Sequence, residues 1–140
     1  MKTPIFLTFE EVLQTHSSQI ACFGGSDGIR DTGLLKSALA MPESMFGGQY
    51  LHRDIYEMAA AYLFHLTSNH PFLDGNKRIG IVVAIVFLKM NDYEFTADET
   101  ELEHIVMETA QGRTDKAVLT EFFRTNAREK RLSSGKVSEC

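Results

Sequence analysis

The chain has 140 residues, 44% of them apolar, with 19 acidic and 14 basic side chains and a formal net charge of −5. That is the composition of one globular domain with a core of useful size, and its acidity argues against nucleic acid as a direct partner. The apolar run over residues 79–88 falls short of the roughly 20 residues that span a bilayer, and Met1 to Thr8 has no signal-peptide pattern. The expected location is therefore the cytoplasm, away from membranes. Cys22 and Cys140 lie far apart in the chain and are expected to be reduced thiols.

Thr8 and Glu11 form a capping box, after which Phe9, Val12, Leu13, His16 and Ile20 fall on one helical face; His16 reads as a boundary histidine. Three glycines between Phe23 and Arg30 make a loop. With no Gly-Lys-Ser/Thr after them, it is not a Walker-type phosphate loop. Asp31 caps a short second helix with the stripe Leu34, Leu35, Ala38 and Leu39, stopped by Pro42. Residues 42–52 hold a proline, two glycines, Phe46 and Tyr50, the pattern of an irregular loop or a small hairpin. Asp54 starts a third helix, in which Ile55, Met58, Ala59, Tyr62, Leu63 and Leu66 keep helical spacing. His65 lies off that stripe, at the surface or the boundary.

Residues 79–90 are rich in isoleucine and valine, which favour a strand by propensity. Every other long segment reads as helix, so a strand here would lack a partner. The segment is expected to be a buried central helix ending at Asn91. Tyr93 and Phe95 return the chain to the core. Thr96 and Glu99 suggest a second capping box, followed by the stripe Leu102, Ile105, Val106 and Thr109, with Gly112 at its end. Thr114 or Asp115 caps a last helix with Val118, Leu119, Phe122 and Phe123 inside. The expected fold is all-α, about six helices around one buried central helix. One domain over residues 1–127 and a polar, flexible tail over 128–140 complete the organisation.

Ahead of the central helix stands His70-Pro71-Phe72-Leu73-Asp74-Gly75-Asn76-Lys77-Arg78-Ile79-Gly80. So polar a turn beside so apolar a helix is costly to bury and reads as a site rather than a connection. Gly75 lets backbone approach a ligand closely. A helix starting near Asn76 points free N–H groups and its positive dipole end at that ligand, which suits phosphate. Lys77 and Arg78 add a point charge and a planar fork, at a helix start where cations are disfavoured unless an anion sits between them. Asp74 would repel a bare phosphate but fits a divalent ion, Mg²⁺ above others, shared with it. His70 titrates near neutral pH and can take a proton from an incoming hydroxyl. Phe72 and Leu73 anchor the turn in the core. Together the polar residues suggest attack by a hydroxyl on a nucleotide phosphate. Singly, each has a blander reading: a histidine cap, an Asp-Gly turn, a solvated helix start.

The turn resembles the Fic signature, His-x-Phe-x-Asp/Glu-Gly-Asn-x-Arg, and with Lys77 it is most similar to the death-on-curing (Doc) toxins of the Fic/Doc superfamily. Gly24-Gly25, Gly28-Ile29-Arg30-Asp31 and Met45-Phe46-Gly47-Gly48 also resemble Doc-family segments, so the resemblance covers roughly residues 5 to 125. It implies catalytic roles for His70 and Arg78, nucleotide binding by Gly75, Asn76, Lys77 and Arg78, and Mg²⁺ at Asp74. It also implies a flap at Phe46, Gly47 and Gly48 that holds a target segment by main-chain pairing. ATP and Mg²⁺ are the implied cofactors, and a cognate antitoxin the implied restraining partner.

Typical Fic enzymes have glycine at the position of Lys77 and move AMP to a protein hydroxyl. Doc-type toxins have lysine and move the γ-phosphate, by family precedent to elongation factor Tu, which arrests translation. A lysine fills the hollow that glycine leaves for the α and β phosphates. Lys77 therefore favours phosphoryl transfer, with adenylyl transfer as the alternative. A catalytically silent partner-binding module of the same fold is a second alternative. A metal-dependent hydrolase is weaker, because no clustered ligand set accompanies His70 and Asp74. Ile81 stands where many Fic enzymes carry a second arginine, and residues 125–130 only faintly resemble their inhibitory motif.

Overall fold

The computed structural model describes residues 3–130. Its elements in order are α1 (Phe9–Phe23), α2 (Thr32–Ala40), β1 (Met45–Phe46), β2 (Gln49–Tyr50), α3 (Ile55–Asn69), α4 (Asn76–Met90), β3 (Tyr93–Phe95), α5 (Glu99–Ala110), α6 (Lys116–Asn126) and β4 (Ala127–Glu129). The fold is all-α, with six helices among the described residues and two ribbons of short antiparallel strands.

Four helices start on caps that the sequence marks. Thr8 and Glu11 exchange side-chain bonds with each other's backbone N–H. Asp31, Asp54 and Asp115 each accept from the N–H three residues on. Each cap satisfies an orphan donor and stabilises its helix by about 1 kcal/mol. The second capping box does not form. α5 begins behind Asp98, while the Thr96 N–H donates to the Asn126 carbonyl at 2.8 Å. Thr96 directly follows β3, and closing the β3–β4 ribbon takes its N–H first.

The core centres on α4, with α3 packed along it. Ala59 to Leu63 of α3 are fully enclosed, and Ile79, Val83, Ala84, Phe87 and Leu88 of α4 pack against them. Apolar residues on most of its circumference make α4 a helix in spite of its β-branched content. Gly80 sets the separation of the pair: a Cβ there would lie 2.8 Å from Thr67 Oγ1 and 3.2 Å from Leu63 Cδ1. α1 lies against α4, and α2 and α6 against α3. From α6, Leu119 and Phe123 enter the core, whereas Val118, expected inside, is exposed because it lies one position off that face.

Residues 42–52 resolve into the small hairpin. Gly47 and Gly48, at φ 60° and 81°, form its two-residue turn, the left-handed pair that matches strand twist. Phe6 packs on Tyr50 at 5.8 Å between ring centroids and holds the hairpin to the body. Arg128 and Glu129, expected to begin a tail, instead pair in β4, with Tyr93 opposite Glu129 and Phe95 opposite Ala127. The rest of the expected tail and Cys140 lie outside the described residues. Cys22, exposed in the last turn of α1, is disulfide-bonded rather than a reduced thiol. No described helix is long and apolar enough to cross a membrane.

Candidate active site

The turn between α3 and α4 is bracketed by two left-handed residues. His70 closes α3 at φ 47°, ψ 54°, and Gly75 opens α4 at φ 77°. A non-glycine residue held in that region costs on the order of 1–3 kcal/mol and needs support from around it. Arg30 supplies it: Nε donates to the His70 carbonyl at 2.6 Å and Nη2 to the Asn69 carbonyl at 2.9 Å. A cation on the last carbonyls of a helix also opposes its dipole. The Arg30 and Asp31 N–H groups donate to the Pro71 carbonyl, and the Leu73 N–H donates to the Gly28 carbonyl. Ile29 pairs with Phe72 in a single antiparallel bridge. The glycine-rich loop after α1 is thus one wall of the turn.

Phe72 is 1% exposed and anchors the turn, as expected. Leu73, expected beside it in the core, is 58% exposed. Neighbouring residues of a bridged segment face opposite ways, so Leu73 lies over Gly28 instead. The Asn76 side chain clasps the turn from inside. Its Oδ1 accepts from the Phe72 N–H at 2.9 Å, and its Nδ2 donates to the Phe72 carbonyl at 3.0 Å. Both polar ends of that side chain are therefore occupied, and what Asn76 offers a ligand is its backbone N–H. The N–H groups of Asn76, Lys77 and Arg78 precede the first intrahelical bond, from the Ile79 N–H to the Gly75 carbonyl at 2.9 Å.

Lys77 is exposed, and Arg78 lays its guanidinium over the Phe23 ring, 4.9 Å from the centroid. Neither forms an ion pair among the described residues. Asp74 accepts from the Gly75 N–H at 2.8 Å with Oδ1 and from the Ser26 N–H at 3.2 Å with Oδ2. Each carboxylate oxygen keeps a lone pair, and no described cation pairs with it. This suits a hydrated divalent ion bound through one carboxylate and the substrate's phosphates. Among the described residues no group of three His, Cys, Asp or Glu side chains could cage an ion without such help. The His70 ring is exposed and bonded to no described group, so it can accept a proton. The structure gathers His70, Asp74, Gly75, Asn76, Lys77 and Arg78 at one turn. Phe46, Gly47 and Gly48 form the separate hairpin tip, where Phe46 is 81% exposed.

His16 is not the boundary histidine that its spacing suggests, but 1% exposed. Its ring stacks on Phe72 at 3.8 Å and 7°, and its Nε2 donates to the Asp74 carbonyl at 2.8 Å. Its Nδ1 lies 3.4 Å from Asp27 Oδ1. The sequence reading missed His16, Asp27 and Arg30 as parts of the site. The one local signal was a histidine on an otherwise apolar stripe; for Arg30 there was none beyond the family-like look of its segment.

The domain is all-α and carries at a helix start a polar turn whose amides, two cations and one carboxylate are open to a ligand, an arrangement that can take an anion. The profile of the Fic/DOC family matches residues 6–88, from the approach to α1 through most of α4. The Toxin Doc of Mycolicibacterium smegmatis is 38% identical over 93 residues, covering 66% of this chain and 69% of that protein. The Protein kinase doc of Escherichia phage P1 is 28% identical over 103 residues, covering 74% of this chain and 80% of that protein. The chain belongs to the Fic/DOC family.

Proposed function

We propose that the protein is a Doc-like toxin that transfers the γ-phosphate of ATP to a serine or threonine hydroxyl of a target protein. The observation that carries this reading is Lys77. Its exposed side chain stands in the first turn of α4, where by the Fic resemblance an adenylyl-transferring enzyme would have glycine. Similarity to a relative named as a protein kinase supports the same direction.

In this reading His70 takes the proton of the target hydroxyl as its oxygen bonds to the γ-phosphorus. The bond from that phosphorus to the β–γ bridging oxygen breaks, and ADP leaves. The amides of Asn76, Lys77 and Arg78 and the two cations hold the phosphate charge, and Gly75 keeps the approach open. Asp74 would hold Mg²⁺, which when bound neutralises phosphate charge. Phe46, Gly47 and Gly48 hold the target segment at the hairpin, whose edge can pair with an extended chain. Elongation factor Tu is the target by family precedent. A cognate antitoxin restrains the activity, in the cytoplasm.

The test uses Mg-ATP labelled at the α or the γ phosphate, incubated with the protein and a cytosolic extract. Protein-bound γ label supports phosphoryl transfer. Protein-bound α label means adenylyl transfer and overturns the role of Lys77, and no bound label overturns both. Lys77→Gly should sharply lower γ-phosphate transfer, read as the mass added to the target.

A further inference from the structure

His16 binds a backbone group 58 residues away, from inside the core. A buried imidazole is costly unless its polar atoms are used, and here Nε2 donates to a carbonyl. Simple filling of the space against Phe72 would be met by leucine or methionine. The choice of partner is informative. The Asp74 carbonyl belongs to the peptide that joins the carboxylate residue to Gly75, the residue that opens α4. Fixing that carbonyl fixes the peptide plane, and with it the departure of the Asp74 side chain and the aim of the amides that follow. Gly75 backs directly onto the ring: a Cβ there would lie 3.6 Å from His16 Nε2. On the other side Asp27 faces Nδ1, and Asp27 is itself held by Ser17 Oγ at 3.1 Å and by the Gly28 N–H at 2.9 Å.

We propose that His16 is a positioning residue of the candidate site: from α1 it locks the Asp74–Gly75 peptide. Its role in transfer rests on the turn being the nucleotide site, and it carries no proton in the reaction.

Two variants separate positioning from packing. His16→Gln places an amide nitrogen within reach of the Asp74 carbonyl. His16→Asn, one carbon shorter, reaches toward Asp27 and not the carbonyl. Both lose the ring and its stacking on Phe72. Beyond the ring-current change that both variants share, the Gly75, Asn76 and Lys77 amide peaks of the ligand-free proteins should stay in place for His16→Gln and move for His16→Asn in nitrogen–proton spectra. Calorimetry with Mg-ATP should show near wild-type affinity for His16→Gln and about 10–100-fold weaker binding for His16→Asn, the usual effect of losing an orienting partner. Unmoved amides in His16→Asn, or equal losses in the two variants, overturn the proposal and leave His16 as packing. If wild-type protein binds no nucleotide, the reading of the site fails, while the amide positions still decide what His16 does. If neither variant folds, the wild-type ring decides: imidazole nitrogen shifts that place the proton on Nε2 support the bond to the Asp74 carbonyl, and a bare Nε2 overturns it.

Discussion

Replacing Asn76 with alanine separates a structural clasp from a phosphate ligand. The side chain makes two bonds to one residue, at 2.9 Å to the Phe72 N–H and 3.0 Å to its carbonyl. Phe72 is 1% exposed, so its freed backbone groups reach water poorly. Each lost bond costs about 1 kcal/mol, rising toward about 3 where a group is left buried and unpaired. The better helix propensity of alanine offsets about 0.5 kcal/mol. The net loss is then about 2 kcal/mol. For 140 residues, at about 2.1 cal/mol/K of unfolding entropy per residue, the total is about 0.3 kcal/mol/K. Tm should therefore fall by about 7 °C. The assay is thermal unfolding followed by circular dichroism without nucleotide, with His70→Ala as the control that changes the turn's surface alone. Nucleotide affinity should fall along with stability, because the amides of α4 lose their fixed start. A variant that melts with the wild type and still loses nucleotide would refute the reasoning and make the Asn76 side chain a direct ligand.

His70→Ala should slow γ-phosphate transfer by about 10²–10⁴-fold, the usual worth of a general base, with melting unchanged because the ring is exposed. Transfer near the wild-type rate would remove His70 from the chemistry. Gly80→Ala puts a methyl 2.8 Å from Thr67 Oγ1 between the two central helices and should lower stability by about 1–3 kcal/mol, read as the urea midpoint. A midpoint equal to wild type would mean that α3 and α4 separate at no cost. Acid should destabilise the protein through His65, held down to about 4 by burial and then by the ammonium of Lys116, which lies 3.1 Å from its Nε2, and by His52. His52 is lowered by burial and by the same ammonium. Unfolded, both take a proton near 6.5, so from 6.5 down toward 4 the unfolded chain binds more protons and stability falls with pH. His65→Gln should flatten the fall in urea midpoint between pH 6.5 and 5, and an unchanged slope would exclude His65 as its source.

What the sequence made legible was local. Asp31, Asp54 and Asp115 cap helices by bonding three residues ahead, a distance that spacing reports directly. The helical state of α4 was legible by elimination, since a strand would have had nothing to pair with. Thr96 and Glu99 carry the same spacing as Thr8 and Glu11, yet Thr96 is tied to Asn126, 30 residues away. Spacing cannot weigh a local bond against a distant one. The same limit hid His16 and Arg30, whose partners lie 58 and 40 residues along the chain. The motif marks Asn76 but not which of its atoms a ligand can use, because the clasp on Phe72 exists only once the turn has folded.

The turn does not hold its shape unaided, and this bears on what a mutation near it can report. Left-handed His70 costs on the order of 1–3 kcal/mol, while the two Arg30 bonds to the α3 carbonyls are charge-assisted and worth about 1.5–3 kcal/mol each. Arg30 is therefore enough to keep His70 where it stands, and nothing on α4 needs to do so. Asp74 depends on other supports: the Ser26 N–H on its carboxylate and His16 on its carbonyl. Gly25 leaves the room for it, since a Cβ there would come within 2.7 Å of Asp74 Oδ2. The His70 backbone and the Asp74 carboxylate are thus positioned by separate contacts, from the chain between α1 and α2 or from α1 itself. A substitution in that loop can misplace one and spare the other, so a lost activity there speaks to geometry before it speaks to chemistry.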